Sequence, residues 1–253
     1  MAVYGSIDGE RRRRDLAELI QRTGEISIEE ARDRFAVSAM TIRRDLEALE
    51  LEGVVKRVRG GAVGAPAPRS YDERLATRAA AKRAVAKKSL ALVPTRGAVS
   101  FDASTTVNAL AEMLVDRHEL LVCTNSIQTF ETLTRMGGPQ AHLTGGAHEP
   151  ATGSLVGPIA NAGARLIHTL TFFTSADAFS PAEGTSEASL AEAEVKRHLA
   201  AAAERTVLCL DSSKLGKRST GMALETGDIS TLITELAPED PRLDPYRDHL
   251  DVL

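Results

Sequence analysis

The chain has 253 residues, 43% of them apolar and 26% charged, which is enough for one large domain or two and matches an ordinary folded protein. A formal net charge of −4 excludes a protein that is basic overall, so any surface for nucleic acid has to be local. The two cysteines, Cys123 in LLVCT and Cys209 in TVLCLD, sit in apolar strand-like runs, and the six histidines lack metal-ligand spacing, so buried thiols are expected and a disulfide framework, metal site or cofactor is not.

Near the start, Arg11 to Arg14 place charge where a secretory signal needs an apolar core, and no apolar run approaches a membrane span. A cytoplasmic protein without a membrane partner is expected. A first helix over about Glu10 to Arg22 gathers Leu16, Leu19 and Ile20 on one face. Ser27 and Glu30 have capping-box spacing, opening a short second helix with Ala31 and Phe35 inward. Ser38 is the expected N-cap of a third helix whose inner stripe is Ile42, Leu46 and Leu49, with Gly53 as its stop. VVKRVRGGAV then predicts a two-stranded ribbon turning or leaving at Gly60-Gly61.

On the third helix the stripe leaves Arg43 and Arg44 outward. Arginine forks suit guanine edges or phosphates, and Ser38 and Thr41 bring hydroxyls near the helix start. In the ribbon, Lys56, Arg57 and Arg59 are candidates for the DNA backbone or minor groove, with Arg57 and Arg59 on one side by period two. Arg11 to Arg14 are candidates for flanking phosphates. Against this, residues 1–60 hold twelve basic and twelve acidic side chains, so pairing within the chain is the plain alternative.

Pro, Gly and Ala accumulate after residue 61, and the pattern then changes to alternating strands and helices. The expected organisation is a winged helix-turn-helix over 1–62, a linker over 63–78, and an α/β domain over 79–253 with a mainly parallel sheet. GAVSFDAS, ELLVCTNS, PQAHLTGG, TLTFFTS, RTVLCLDSS and ISTLIT are its strands. Their polar endings fall where open parallel sheets place ligands. Candidate ligand residues are therefore Asp102, Ser104, Thr105, Thr106, Thr124, Asn125, Gly145, Gly146 and Lys214. Ser104 to Thr106 combine hydroxyls with the free N–H groups of a helix start, which suits phosphate; Lys214 adds a cation or pairs with Asp211; Asp102 faces sugar hydroxyls or braces its loop.

SAMTIRRDLEALELEGVVKRVRGGA closely resembles the amino-terminal signature of the DeoR family of bacterial transcription regulators, on Ser38, Thr41, Ile42, Arg43, Arg44, Asp45 and Leu46. The resemblance runs from about residue 8 to residue 240. It implies a repressor of carbohydrate or nucleoside catabolism that reads double-stranded operator DNA. It also implies an effector domain similar to ribose-5-phosphate isomerase and the coenzyme A transferase fold, sensing a phosphorylated sugar or related metabolite. Matching positions are Lys82, Asp102, Thr105, Thr106, Thr124, Asn125, Gly145, Gly146, Gly157, Gly184 and Asp211 to Lys214. By the same resemblance Asp45 orients an arginine or caps a local network. Ser104 departs from the family's usual glycine, and FFTSADAF puts Thr174, Asp177 and Ala178 in unfamiliar roles. One reading module is a small footprint, so a homodimer or homotetramer on a two-fold site is expected. Two other classes stand beside this reading. One is an isomerase-like enzyme built on Asp102 and Lys214, for which Glu183 or Glu187 could supply a further acid but could as easily face solvent; the other is a DNA binder without an effector.

Overall fold

The computed structural model describes residues 7–51, 54–64 and 70–253, and the chain divides into two compact units, Met1–Ala67 and Pro68–Leu253. In the first unit α1 (Ile7–Thr23) is followed by β1 (Glu25–Ser27), α2 (Ile28–Phe35), α3 (Ala39–Leu51), β2 (Val55–Val58) and β3 (Gly61–Gly64). The expected capping box closes the start of α2: Ser27 accepts from the Glu30 N–H, and the Glu30 carboxylate accepts from the Ser27 N–H. The helix ends at Ala36, which is left-handed at φ 52°, and the short turn it makes delivers the chain to Ser38. The Ser38 hydroxyl accepts from the Thr41 N–H at 3.1 Å, as an N-cap should.

Leu16, Ile20, Ile42, Leu46 and Leu49 are all sealed in one core with Ile26, Ala31, Val55 and Ala62. Each large aliphatic side chain there contributes about 1.5–3 kcal/mol, and the i, i+4, i+7 stripe of α3 is what holds its other face outward. The ribbon differs from expectation in two respects. Its turn is Arg59-Gly60, and Gly61 already belongs to β3, because a Cβ at Gly61 would lie 2.2 Å from the Ile26 carbonyl oxygen of the neighbouring β1. β1 is a third, unforeseen strand, so the order is β1-β3-β2. The stop assigned to Gly53 lies outside the described residues.

The second unit starts earlier than residue 79. α4 (Tyr71–Ala76) and α5 (Ala79–Ser89) precede the sheet, so the stretch read as a linker contains the end of β3 and all of α4, the latter opened by a Ser70–Glu73 capping box. There follow β4 (Gly97–Phe101), α6 (Thr105–Ala111), β5 (Leu120–Thr124), α7 (Ile127–Met136), β6 (Gln140–Leu143), a hairpin of β7 (Ala147–Glu149) and β8 (Ser154–Val156), and α8 (Pro158–Ala164). The chain continues through β9 (Thr171–Thr174), β10 (Ala178–Ser180), β11 (Gly184–Glu187), α9 (Leu190–Ala201), β12 (Thr206–Cys209), β13 (Gly221–Met222), β14 (Thr231–Ile233), α10 (Asp244–Arg247) and β15 (Asp251–Val252).

Seven strands form one wholly parallel sheet in the order β15-β14-β12-β9-β4-β5-β6, and β10, β11 and β13 form a small antiparallel sheet. Both faces of the large sheet are covered. Phe101, Phe173, Val207 and Ile233 pack with residues of α5, α6 and α7, whereas Phe172, Leu208 and Leu232 pack with residues of α8 and α9. Adjacent residues such as Phe172 and Phe173 go to opposite cores, as the two-residue period of a strand requires.

From β4 the chain winds one way to β5 and β6, and from β9 it winds the other way to β12, β14 and β15. β4 and β9 are neighbours, so the crevice beyond their carboxyl ends is the topological switch point. Cys123 and Cys209 are buried free thiols, their pKa values pushed up by burial to about 11 and about 12. No helix among the described residues is long and apolar enough to cross a membrane.

Candidate operator interface and effector site

Among the described residues of the first unit four arginines are occupied: Arg12, Arg13, Arg57 and Arg32, the last by its exposed neighbour Asp33. Arg12 donates to Asp45 through two nitrogens at 2.6 and 3.3 Å, and Arg13 lies 3.9 Å from the same carboxylate. Asp45, only 4% exposed, therefore orients an arginine, but one on α1 rather than on its own helix. Arg12 is thereby withdrawn from the set expected to reach flanking phosphates. Arg57 is held by Glu50 of α3 through its Nε at 2.6 Å and its backbone N–H at 2.8 Å, so it does not share a free face with Arg59, which lies in the turn. Glu50 is drawn below its ordinary pKa by these two bonds, the backbone one foremost.

Arg43 and Arg44 behave differently. Both are exposed on α3 and form no hydrogen bond or ion pair with any described residue. Met40, 56% exposed, stands on the same outward side, and Thr41 joins its hydroxyl to that of Ser38 at 2.9 Å. Lys56 and Arg59 are exposed on the ribbon. What α3 presents outward is a convex surface bearing two unneutralised guanidinium groups, the chemistry that a major groove accepts.

In the second unit, parallel strands bring every predicted ligand residue to one edge of the sheet: Asp102 to Thr106 after β4, Thr124 and Asn125 at β5, Gly145 and Gly146 after β6, and Lys214 after β12. Their roles differ from the simplest expectation. Asp102 is fully buried in the switch crevice. One carboxylate oxygen accepts from the Ser104 N–H at 3.0 Å, and the other accepts from the Thr174 hydroxyl and the Ser175 N–H, both at 2.8 Å. Lys196 of α9 approaches that second oxygen at 3.0 Å. Asp102 thus braces the loops and has no open edge for a sugar. Burial pushes its carboxyl up, but Lys196 and the three hydrogen bonds together hold it below its ordinary value.

Lys196 was not foreseen and is the centre of the buried charge cluster beside Asp102. It is 3% exposed, donates to Glu187 at 2.7 Å and to the Ser175 carbonyl at 2.9 Å, and its two carboxylate partners keep it charged despite burial. Glu187 is buried, not solvent-facing, and burial pushes its carboxyl up to about 8, because one lysine cannot neutralise every acid around it. Thr174 serves Asp102, and Asp177 accepts from the Ala188 N–H at 2.9 Å. The missed signal was available: Glu192 and Lys196 fall on the inner stripe of α9 with Ala193, Val195 and Leu199, where unpaired charges do not survive.

Ser104 caps α6 by accepting from the Val107 N–H, and at φ −89° it needs none of the freedom a glycine would bring. Thr105 and Thr106 are buried beside it. Thr124 accepts from the Ser126 N–H, and Asn125 donates to the Leu155 carbonyl at 3.2 Å. Gly146, at φ 118°, is required by packing, since a Cβ there would meet the Val156 carbonyl oxygen at 2.7 Å. Lys214 does not pair with Asp211; it lies 3.6 Å from Asp177, while Asp211 is taken by Arg78 at 2.8 Å. Among the described residues no cluster of ligands suited to a metal occurs.

Comparison with known families matches residues 12–65 to the DeoR-like helix-turn-helix domain and residues 77–236 to the DeoR C terminal sensor domain. The chain belongs to the DeoR family of transcriptional regulators. The HTH-type transcriptional regulator GolR of Listeria innocua is 33% identical, the alignment covering 88% of this chain and 89% of GolR. The Lactose phosphotransferase system repressor of Streptococcus mutans is 30% identical over 91% of this chain and 94% of its own. Among solved structures, ribose 5 phosphate isomerase A from Neisseria gonorrhoeae aligns at TM-score 0.38 and 21% identity, covering 54% of this chain and 53% of that one. In this DeoR-type regulator the helix-turn-helix match contains α3 with Arg43 and Arg44, and the sensor-domain match contains the switch crevice and Lys196.

Proposed function

We propose that the chain is a cytoplasmic repressor of carbohydrate genes that binds a two-fold operator as a homodimer or homotetramer and is controlled by a phosphorylated sugar. Arg43 and Arg44 read base edges in the major groove, with Ser38, Thr41, Lys56 and Arg59 on the backbone. The effector lies at the carboxyl edge of the parallel sheet, near Ser104 to Thr106, Asn125 and Lys214. Its binding changes the population of the operator-bound arrangement. The observation that carries the reading is the contrast between Arg43 and Arg44, free and exposed, and Arg12 and Arg57, each committed to an acid of the same unit. A lactose phosphotransferase repressor among the relatives supports a carbohydrate effector.

The second unit is read as a binding site rather than a catalytic one. A general base needs an open lone pair facing the substrate, and Asp102 has both oxygens engaged. The test is to select operator duplexes with the full chain, then titrate the complex with sugar phosphates. Operator affinity is expected to change with at least one that binds, and to fall by roughly tenfold or more in Arg43→Ala and Arg44→Ala, at about 1–3 kcal/mol per bidentate contact. Unchanged DNA affinity with every bound sugar phosphate overturns the switch, and unchanged affinity in both variants removes α3 as the reader.

A further inference from the structure

Beside the switch crevice lies a run of buried polar atoms whose hydrogen-bonding capacity is unused. Asn125 is fully buried and Asn108 is 5% exposed, yet the Oδ1 of each lacks a partner among the described residues. The same holds for the Thr129 hydroxyl, the Tyr71 hydroxyl and the Arg74 Nε. The carboxyl of Glu192, 4% exposed, accepts no hydrogen bond from a described residue, and burial pushes it up to about 7. A native interior leaves few such groups.

They form one neighbourhood. Arg74 donates to the Thr152 carbonyl and its guanidinium lies over the Tyr71 ring at 5.7 Å. Thr152 is bonded to Glu149 at 2.6 Å and to Ser154 at 2.7 Å; Glu149 accepts from Ser189 at 2.7 Å, and Ser189 caps the turn that carries Glu192. Ser154 bridges to Ser126, next to Asn125 and one turn from Thr129. α4 packs on α6, which carries Asn108.

The unused valences are mostly acceptors: one carboxylate and two amide carbonyls, against a single obligate donor, the Arg74 Nε. A phosphate brings only acceptors and finds little here. A ligand rich in hydroxyl groups satisfies carboxylate and carbonyls together and offers an oxygen to Arg74 in return.

We propose that Tyr71, Arg74, Asn108, Asn125, Thr129 and Glu192 form a pocket for a polyol, with Glu192 as its principal acceptor and Arg74 as its donor. It deepens the sugar-effector reading and rests on it, by assigning the hydroxyl-bearing part of the effector to this side of the crevice. Tyr71 and Arg74 belong to α4, the first helix of the second unit, so the ligand touches the segment of chain that follows directly on the DNA-binding unit.

The test uses the full chain, with ribitol, galactitol, D-ribose 5-phosphate and inorganic phosphate as probes, in wild type, Glu192→Met and Arg74→Met. At least one polyol or the sugar phosphate is expected to bind the wild type and to weaken about tenfold in each variant, the loss of one charge-assisted hydrogen bond. Inorganic phosphate is expected to respond to neither change. Without ligand, Glu192→Met is expected to be as stable as wild type or more so, because the group it removes is a buried carboxyl that no described residue hydrogen-bonds. Wild type that binds none of the three hydroxylated probes, variants that bind them unchanged, or a destabilised Glu192→Met each overturns the pocket. D-ribose 5-phosphate that alters operator affinity equally in wild type and both variants removes the pocket and leaves the switch standing. Probes that bind here without altering operator affinity do the reverse.

Discussion

Arg12 of α1 and Asp45 of α3 are joined by two hydrogen bonds across 33 residues of sequence, at 2.6 and 3.3 Å. The pair explains how an acid can follow directly on Arg43 and Arg44 without repelling a phosphate: its charge is turned inward and cancelled by another helix. Asp45→Ala leaves Arg12 unmatched and loosens α3 on α1. A loss of about 2–3 kcal/mol is expected, below the full value for a sealed pair because Arg12 keeps some solvent. Thermal unfolding of the amino-terminal unit and operator binding both report it, and operator affinity should fall although no DNA contact has been removed.

Ala36 holds a left-handed conformation at φ 52° between α2 and α3. That geometry costs an L-residue with a Cβ about 1 kcal/mol and glycine nearly nothing. Ala36→Gly should therefore raise the unfolding temperature of this unit by several degrees and leave operator specificity intact. A lower unfolding temperature would show that entropy lost from the unfolded chain outweighs the relief.

Lys196 is the one buried cation shared by Asp102 and Glu187. Lys196→Met should cost about 3–5 kcal/mol, since it strands the Asp102 carboxylate in an apolar surround and takes from the buried Glu187 carboxyl its hydrogen-bond donor. The double change Lys196→Met with Glu187→Gln should recover part of that loss, and calorimetry of the two variants measures the recovery.

Stability should also depend on pH. Glu187 and Glu192 titrate at about 8 and about 7 in the folded chain, above their ordinary 4.5, so the folded state keeps protons that the unfolded chain has released. Their contribution is fully present below pH 4.5 and is lost progressively as pH rises toward 8, by several kcal/mol in all. Asp102, held low, acts oppositely, and its contribution fades only as the solution becomes more acid than its ordinary range. The unfolding temperature is expected to fall from pH 5 to pH 8 in wild type and to fall less in Glu192→Gln.

Much of this was legible from local pattern. The stripe of Ile42, Leu46 and Leu49 placed Arg43 and Arg44 outward, and the alternation of apolar runs with helices placed the polar loops along one sheet edge. Capping boxes at Ser27 and Ser70 are four-residue signals, and the first was read correctly. The second, equally local, was passed over and α4 with it; the remaining failures at the sites concern which partner a charge takes. Nothing near Lys214 in sequence names Asp177 as its partner, and nothing near Arg57 distinguishes a DNA contact from a bond to Glu50, seven residues back in the chain. Lys196 was overlooked because a lysine in an alanine-rich helix reads as surface unless its place on the inner stripe is weighed, and the acids that meet it, Asp102 after β4 and Glu187 at the end of β11, are remote in sequence.

The seam between β4 and β9 also orders events during synthesis. Asp102 leaves the ribosome some seventy residues before Thr174 and Ser175, and more than ninety before Lys196. Until then β4, β5 and β6 have no neighbour on that side, and the carboxylate at their edge stays hydrated. Closing the two halves and drying that charge is a late step in biogenesis, when the growing chain has exposed its half-finished sheet the longest.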